Sequence, residues 1–89
     1  MAGKADEKRQ SECASVIERF PEKREAIKRL SERDLSFQSL CLEYEECLIA
    51  LRYWRESTLP EAPDFRNEFS SLLSELEEEI TKYLYGIPN

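Results

Sequence analysis

Three cysteines, Cys13, Cys41 and Cys47, and two runs of glutamate are the chemically capable residues of this 89-residue chain. It contains no histidine, which removes the commonest general acid–base and the commonest metal ligand. Cys41 and Cys47 fall in a stretch of helical character. Six positions on a helix turn through about 600°, or about 240° past a full turn, so these two thiols point to different sides. A zinc site takes about four nitrogen or sulfur ligands, and three thiols without a CxxC fall short. Cys41 and Cys47 therefore read as small core hydrophobes. Cys13 lies on an apolar stripe and is expected to be the most accessible of the three.

The carboxylates fare no better as a site. Glu43, Glu45 and Glu46 share one helical stretch, and Glu75, Glu77, Glu78 and Glu79 share another. Di-iron bundles combine inward Glu with a Glu-x-x-His pair, and the His is missing. Glu75, Glu78 and Glu79 could gather a hard cation loosely, but a solvated helix face explains them better. There is no GxxxxGK[ST] and no glycine-rich loop to cradle a phosphate. The residues thus give no catalytic, metal or cofactor site, and the chain is read as a non-enzyme with no cofactor.

The basic residues raise a different possibility. Lys23, Arg24, Lys28, Arg29 and Arg33 crowd residues 23–33. Arg24 and Lys28 share a helix face, as do Arg29 and Arg33. A nucleic-acid-associated regulator is the alternative reading that they suggest. The net charge is −6, with +1 over residues 1–34 and −7 over residues 35–89. An acidic body repels phosphate backbones, and Glu and Asp are interspersed among the cations. Salt pairing is the favoured role, and nucleic acid is a poor default partner.

Few sheet-forming residues are available to position any of these groups. Valine occurs once, at Val16, and glycine twice, so strands are not expected. Cys13, Val16, Ile17 and Phe20 mark a helical face, and a helix is predicted over about 10–19. Pro21 disfavours helix at Phe20 but fits a first turn. The next helix is predicted over 21–33, with Glu22 and Glu25 early and Lys28, Arg29 and Arg33 late, as the helix dipole prefers. Asp34 is a good N-cap, although no proline or glycine forces a break there. Phe37, Leu40, Tyr44, Cys47, Leu51 and Trp54 then step by three and four, a heptad seam, with Cys41 and Leu48 widening it, over a helix at 35–57. "STLPEAPD" reads as a loop at 58–64. Asp64 is expected to cap a last helix at 65–85, whose apolar positions are Phe65, Phe69, Leu72, Leu76, Ile80 and Tyr83, flanked by Leu73 and Leu84. The short connection predicts an antiparallel helical hairpin.

The spacing Phe20-Pro21-Glu22-x-Arg24-x-x-Ile27-x-x-Leu30, followed by Asp34-x-x-Phe37-x-x-Leu40-x-x-x-Tyr44, resembles the YdcH-like family of small bacterial proteins. The closing segment "LEEEITKYL", Leu76 to Leu84, looks like that family's end. The resemblance spans about residues 18–85. It implies a short helix followed by a helical hairpin. The family is a domain of unknown function, so the resemblance carries over no catalytic residues. This chain departs from the pattern in its extra residues 1–17, in Leu35 where many members carry a helix-starting proline, and in a last helix poor in Lys and Arg.

These readings add up to an all-α protein: a flexible segment at 1–9 and one domain at 10–89. In it a short N-terminal helix leads into a long antiparallel hairpin, paired with a second copy in coiled-coil fashion. Aromatic residues crowd helices that make only thin layers, which favours self-association or an unidentified protein partner. The expected interface and core are Phe20, Ile27, Leu30, Phe37, Leu40, Tyr44, Leu48, Leu51, Trp54, Phe69, Leu72, Leu76, Ile80 and Leu84. The odd cysteine count and the polar start "MAGKADEKRQ" predict reduced thiols in a cytoplasmic protein with no signal peptide and no membrane span.

Overall fold

The computed structural model describes residues 13–86. Those residues are helical with no strand among them, so the protein is all-α. Residues 13–19 form α1. A 3-10 turn, Pro21–Lys23, leads into α2, Arg24–Arg33. The two long helices are α3, Leu35–Glu56, and α4, Ala62–Tyr85. The segment expected to be flexible, 1–9, and the predicted start of a helix at residue 10 lie outside the described residues.

The α1–α2 junction follows from Pro21. Phe20 takes φ −128° and ψ 64°, outside the helical region that the following proline disfavours. Its N–H still donates to the Val16 carbonyl at 2.9 Å. Pro21 occupies the first turn, where its missing N–H costs nothing. That turn is wound as a 3-10 helix, and the α-helix proper begins at Arg24.

The chain breaks at Asp34, the point that Leu35 left open. Asp34 is extended, with φ −123° and ψ 109°. Its N–H closes α2 on the Leu30 carbonyl at 2.8 Å. Its carboxylate accepts from the N–H groups of Ser36 at 2.9 Å and Phe37 at 3.2 Å, satisfying two donors that the helix start leaves without partners. A side-chain cap thus does what a helix-starting proline does elsewhere. The joint is tightened from within: the Gln38 side chain donates to the Ser31 carbonyl, and the buried Ser31 hydroxyl donates to the Lys28 carbonyl at 2.8 Å.

The last helix begins earlier than Asp64 suggested. α4 starts at Ala62 and the loop narrows to residues 57–61. Pro63 is harmless in a first turn, so the helix runs back through it. Asp64 becomes the acidic residue of that turn, where the dipole favours it. Glu61, at the cap position, makes no side-chain cap bond.

Contacts between α3 and α4 run in reverse order along the two helices. Trp54 stacks on Phe65 with ring centroids 4.4 Å apart. The Cys47 thiol donates to the Phe69 carbonyl at 3.3 Å. Farther along, Phe37 meets Tyr83 edge-on at 5.2 Å. α1 lays Cys13 and Val16, the junction lays Phe20 and α2 lays Ile27 into the same cluster as Phe37, Cys41, Tyr44, Ile80 and Leu84. Phe37, Ile27, Ile80, Val16 and Cys41 are fully buried, and each large side chain of this kind stabilises the fold by about 1.5–3 kcal/mol. No described helix is long and apolar enough to cross a membrane.

Candidate functional site

A part-buried polar cluster ties α1 to both α3 and α4. Tyr44 is buried on α3, and its hydroxyl donates to Glu77 Oε2 on α4 at 2.8 Å. Arg19 Nε of α1 reaches the same oxygen at 3.2 Å. Ser15 donates to Glu45, a second tie from α1 to α3. Burial, then the hydrogen bond to Glu77, holds the Tyr44 phenol well above its ordinary range. A phenol so held does not ionise near neutral pH. Glu77 Oε2 thus accepts from two donors, one on α3 and one on α1. The cluster locks α1 onto the layer.

A second polar set ties the 3-10 turn to the end of α4. The Tyr85 hydroxyl donates to Glu22 at 2.9 Å, and the Lys23 ammonium lies 4.5 Å from the Tyr85 ring centroid. The Glu22 carboxyl is lowered by a backbone hydrogen bond first and by Tyr85 second. The phenol is raised by the same bond. Glu22 and Tyr85 are solvent-exposed and Lys23 is half-buried, and the set ties the 3-10 turn to the end of α4.

The cysteines all lie inside. Cys13, which the sequence placed as the most accessible thiol, is 3% exposed, because the face it shares with Val16 and Phe20 is the one α1 turns into the core. Cys41 and Cys47 are buried too, and burial pushes the Cys47 thiol up. A buried thiol with a raised value is a poor nucleophile. Among the described residues no group of three or more His, Cys, Asp or Glu converges closely enough to hold a metal.

The apolar positions singled out above divide three ways. Phe20, Ile27, Phe37, Leu40, Tyr44, Leu51, Leu76, Ile80 and Leu84 are buried, and Leu30, Leu48, Trp54 and Phe69 are half-buried. Leu72, named for the interface or core, is 42% exposed and so is not a core position within one chain. It sits at the edge of the α4 stripe, on the side of the layer that α1 does not cover. Other large apolar side chains in water had no place in that set. Leu35, Leu42 and Ile49 are 77%, 43% and 56% exposed. They lie seven residues apart on the back of α3, with Tyr53 one turn beyond Ile49 and likewise exposed. Their heptad spacing was readable in the sequence but was masked by the stronger inward seam.

The basic residues of α2 remain at the surface. Arg24, Arg29 and Arg33 are exposed and Lys28 is half-buried. The ion pairs among described residues are Arg19 with Glu77 and Lys82 with Glu79, and neither involves α2, so within one chain its cations are not salt-paired among those residues. Comparison with known proteins returns no match to any family model, curated protein or solved structure.

Proposed function

We propose that this chain is a non-catalytic protein–protein interaction module of cytoplasmic type. It is a helical hairpin braced by its N-terminal helices, and it acts by burying an apolar helical face against another polypeptide. The observation that carries this reading is the outer stripe of α3, Leu35, Leu42, Ile49 and Tyr53, which stays in water although α3 already has a full inward seam. A helix apolar on both sides is made to be covered on both sides. The resemblance of residues 18–85 to the YdcH-like family agrees with a small hairpin and adds no chemistry.

The same stripe supports a homodimer as the second reading, because a seven-residue apolar repeat is the spacing at which two helices pair. Sedimentation velocity at micromolar concentration tests it, alongside Leu42→Glu with Ile49→Glu. A dimer that the double substitution dissociates supports self-pairing. A folded monomer ends the dimer reading and leaves the module to a different partner. The nucleic-acid alternative through residues 23–33 rests on the exposed arginines alone. Its test is salt-dependent binding of DNA or RNA that is lost when Arg24, Arg29 and Arg33 become Glu.

A further inference from the structure

Among the described residues, α1 covers one side of the α3–α4 layer and leaves the other open. The ties from α1 land on Glu45 of α3 and Glu77 of α4. Glu43 stands two residues from Glu45, about 200° around the helix, and so belongs to the opposite flank. On that open flank, α3 and α4 enclose a cleft of ≈ 460 Å³ floored by Ala50, Phe69, Leu72 and Leu76 and rimmed by Glu43 and Glu46. A shallower depression continues it toward the start of α3, between Leu40 and Tyr83, with Glu43 and Glu79 on its edges. Among the described residues, none of α1 or α2 lines either one, and neither is lined by a lysine or an arginine.

From Ser36 to Ala50 the two depressions follow 15 residues of α3, a span of about 21 Å at about 1.5 Å rise per step. That is the length of roughly four turns of a docked helix. Charge selects the occupant. A second copy seated here about a twofold axis would set its own carboxylate rim against this one, and juxtaposed like charges disfavour such a pair. We propose that the acid-rimmed cleft between α3 and α4 seats an amphipathic helix of a separate polypeptide. That helix is apolar on the face it buries and carries Lys or Arg along both flanks. This face is distinct from the outer stripe of α3 that carries the interaction reading.

The test uses the full chain and three synthetic peptides of about 14 residues. The first is a leucine–lysine peptide with helical apolar period, the second its leucine–glutamate counterpart, and the third the leucine–lysine composition shuffled to destroy the period. Binding is followed through backbone amide shifts, and circular dichroism checks that each protein variant is folded. The leucine–lysine peptide is expected to bind and to shift the amides of Ala50, Phe69 and Leu72, while the other two do not bind. Glu43→Lys with Glu46→Lys is expected to weaken binding by about tenfold or more, as is Leu72→Asp, whose side chain is already in water. Binding that ignores both variants overturns the proposal. So does equal binding of the leucine–glutamate peptide, which leaves the interaction reading standing. A dimer of the free chain that Leu72→Asp dissociates puts a second copy in the cleft and overturns only the cationic partner. A monomer that binds none of the peptides overturns the cationic-helix proposal, while the outer stripe of α3 keeps its own test in Leu42→Glu with Ile49→Glu.

Discussion

Replacing Tyr44 with phenylalanine isolates the tie between α3 and α4. The ring stays in place and only the hydroxyl leaves, so the packing around a buried side chain is kept. What is lost is one 2.8 Å hydrogen bond to a carboxylate. Such bonds are worth about 1.5–3 kcal/mol. Glu77 keeps Arg19, and its side chain is 25% exposed, so water can take the vacated position. The cost therefore falls at the low end, about 1.5 kcal/mol, or about 6–12 °C in Tm for a domain of this size. Urea denaturation of the two proteins, completed as a double-mutant cycle with Glu77→Gln, measures it. The pH dependence gives a second readout. The folded-state value of the Tyr44 phenol is raised, so the folded chain keeps a proton that the unfolded chain releases. The associated stability is whole below about pH 10 and is lost as pH rises above that, by at most about 1.4 kcal/mol per pH unit. Tyr44→Phe should flatten this alkaline limb. The decline linked to the raised Cys47 thiol, which has the same sign and sets in above about pH 8.5, should remain. A loss under about 0.5 kcal/mol, the size of an ordinary surface change, would refute the structural role, as would an unchanged alkaline limb.

Asp34→Ala should cost about 1 kcal/mol by leaving the Ser36 and Phe37 N–H groups without their cap, seen as a lower urea midpoint with an unchanged slope. Ile80→Ala opens a cavity at a fully buried site and should cost about 2–5 kcal/mol, whereas Leu72→Ala on the same helix should cost far less. Equal losses at the two positions would contradict the burial pattern. Phe20→Ala should speed amide exchange across α1 and the 3-10 turn while α3 and α4 keep their protection, because Phe20 pins that junction into the shared core. Exchange unchanged at residues 13–23 would show that the pin is elsewhere.

The helices were legible in the sequence because periodic side chains report a buried face directly. Phe37, Leu40, Tyr44, Cys47 and Leu51 repeat at three and four, and all five are buried. The start of α4 was not legible, because Pro63 and Asp64 satisfy either a loop or a first turn, and only the packing of Ala62 decides between them. The Arg19–Glu77–Tyr44 cluster joins residues up to 58 positions apart, and no local pattern encodes such a meeting. The open cleft was hidden for a related reason. Helical spacing places Leu72 on the α4 stripe, but which side of a two-helix layer the N-terminal helix will cover is settled only in three dimensions.

The one-residue joint at Asp34 also limits how the gene can change. With no slack between α2 and α3, one inserted residue would rotate all that follows by about 100° relative to what precedes. Phe37 and Tyr44 would swing away from α1 and α2, and a neighbouring polar face would swing in. The 57–61 loop has no such constraint, since added residues there only lengthen a surface connection. Among descendants of one ancestral gene, length variation should therefore gather at the tip between the long helices, while the distance from Pro21 to Phe37 stays constant to the residue.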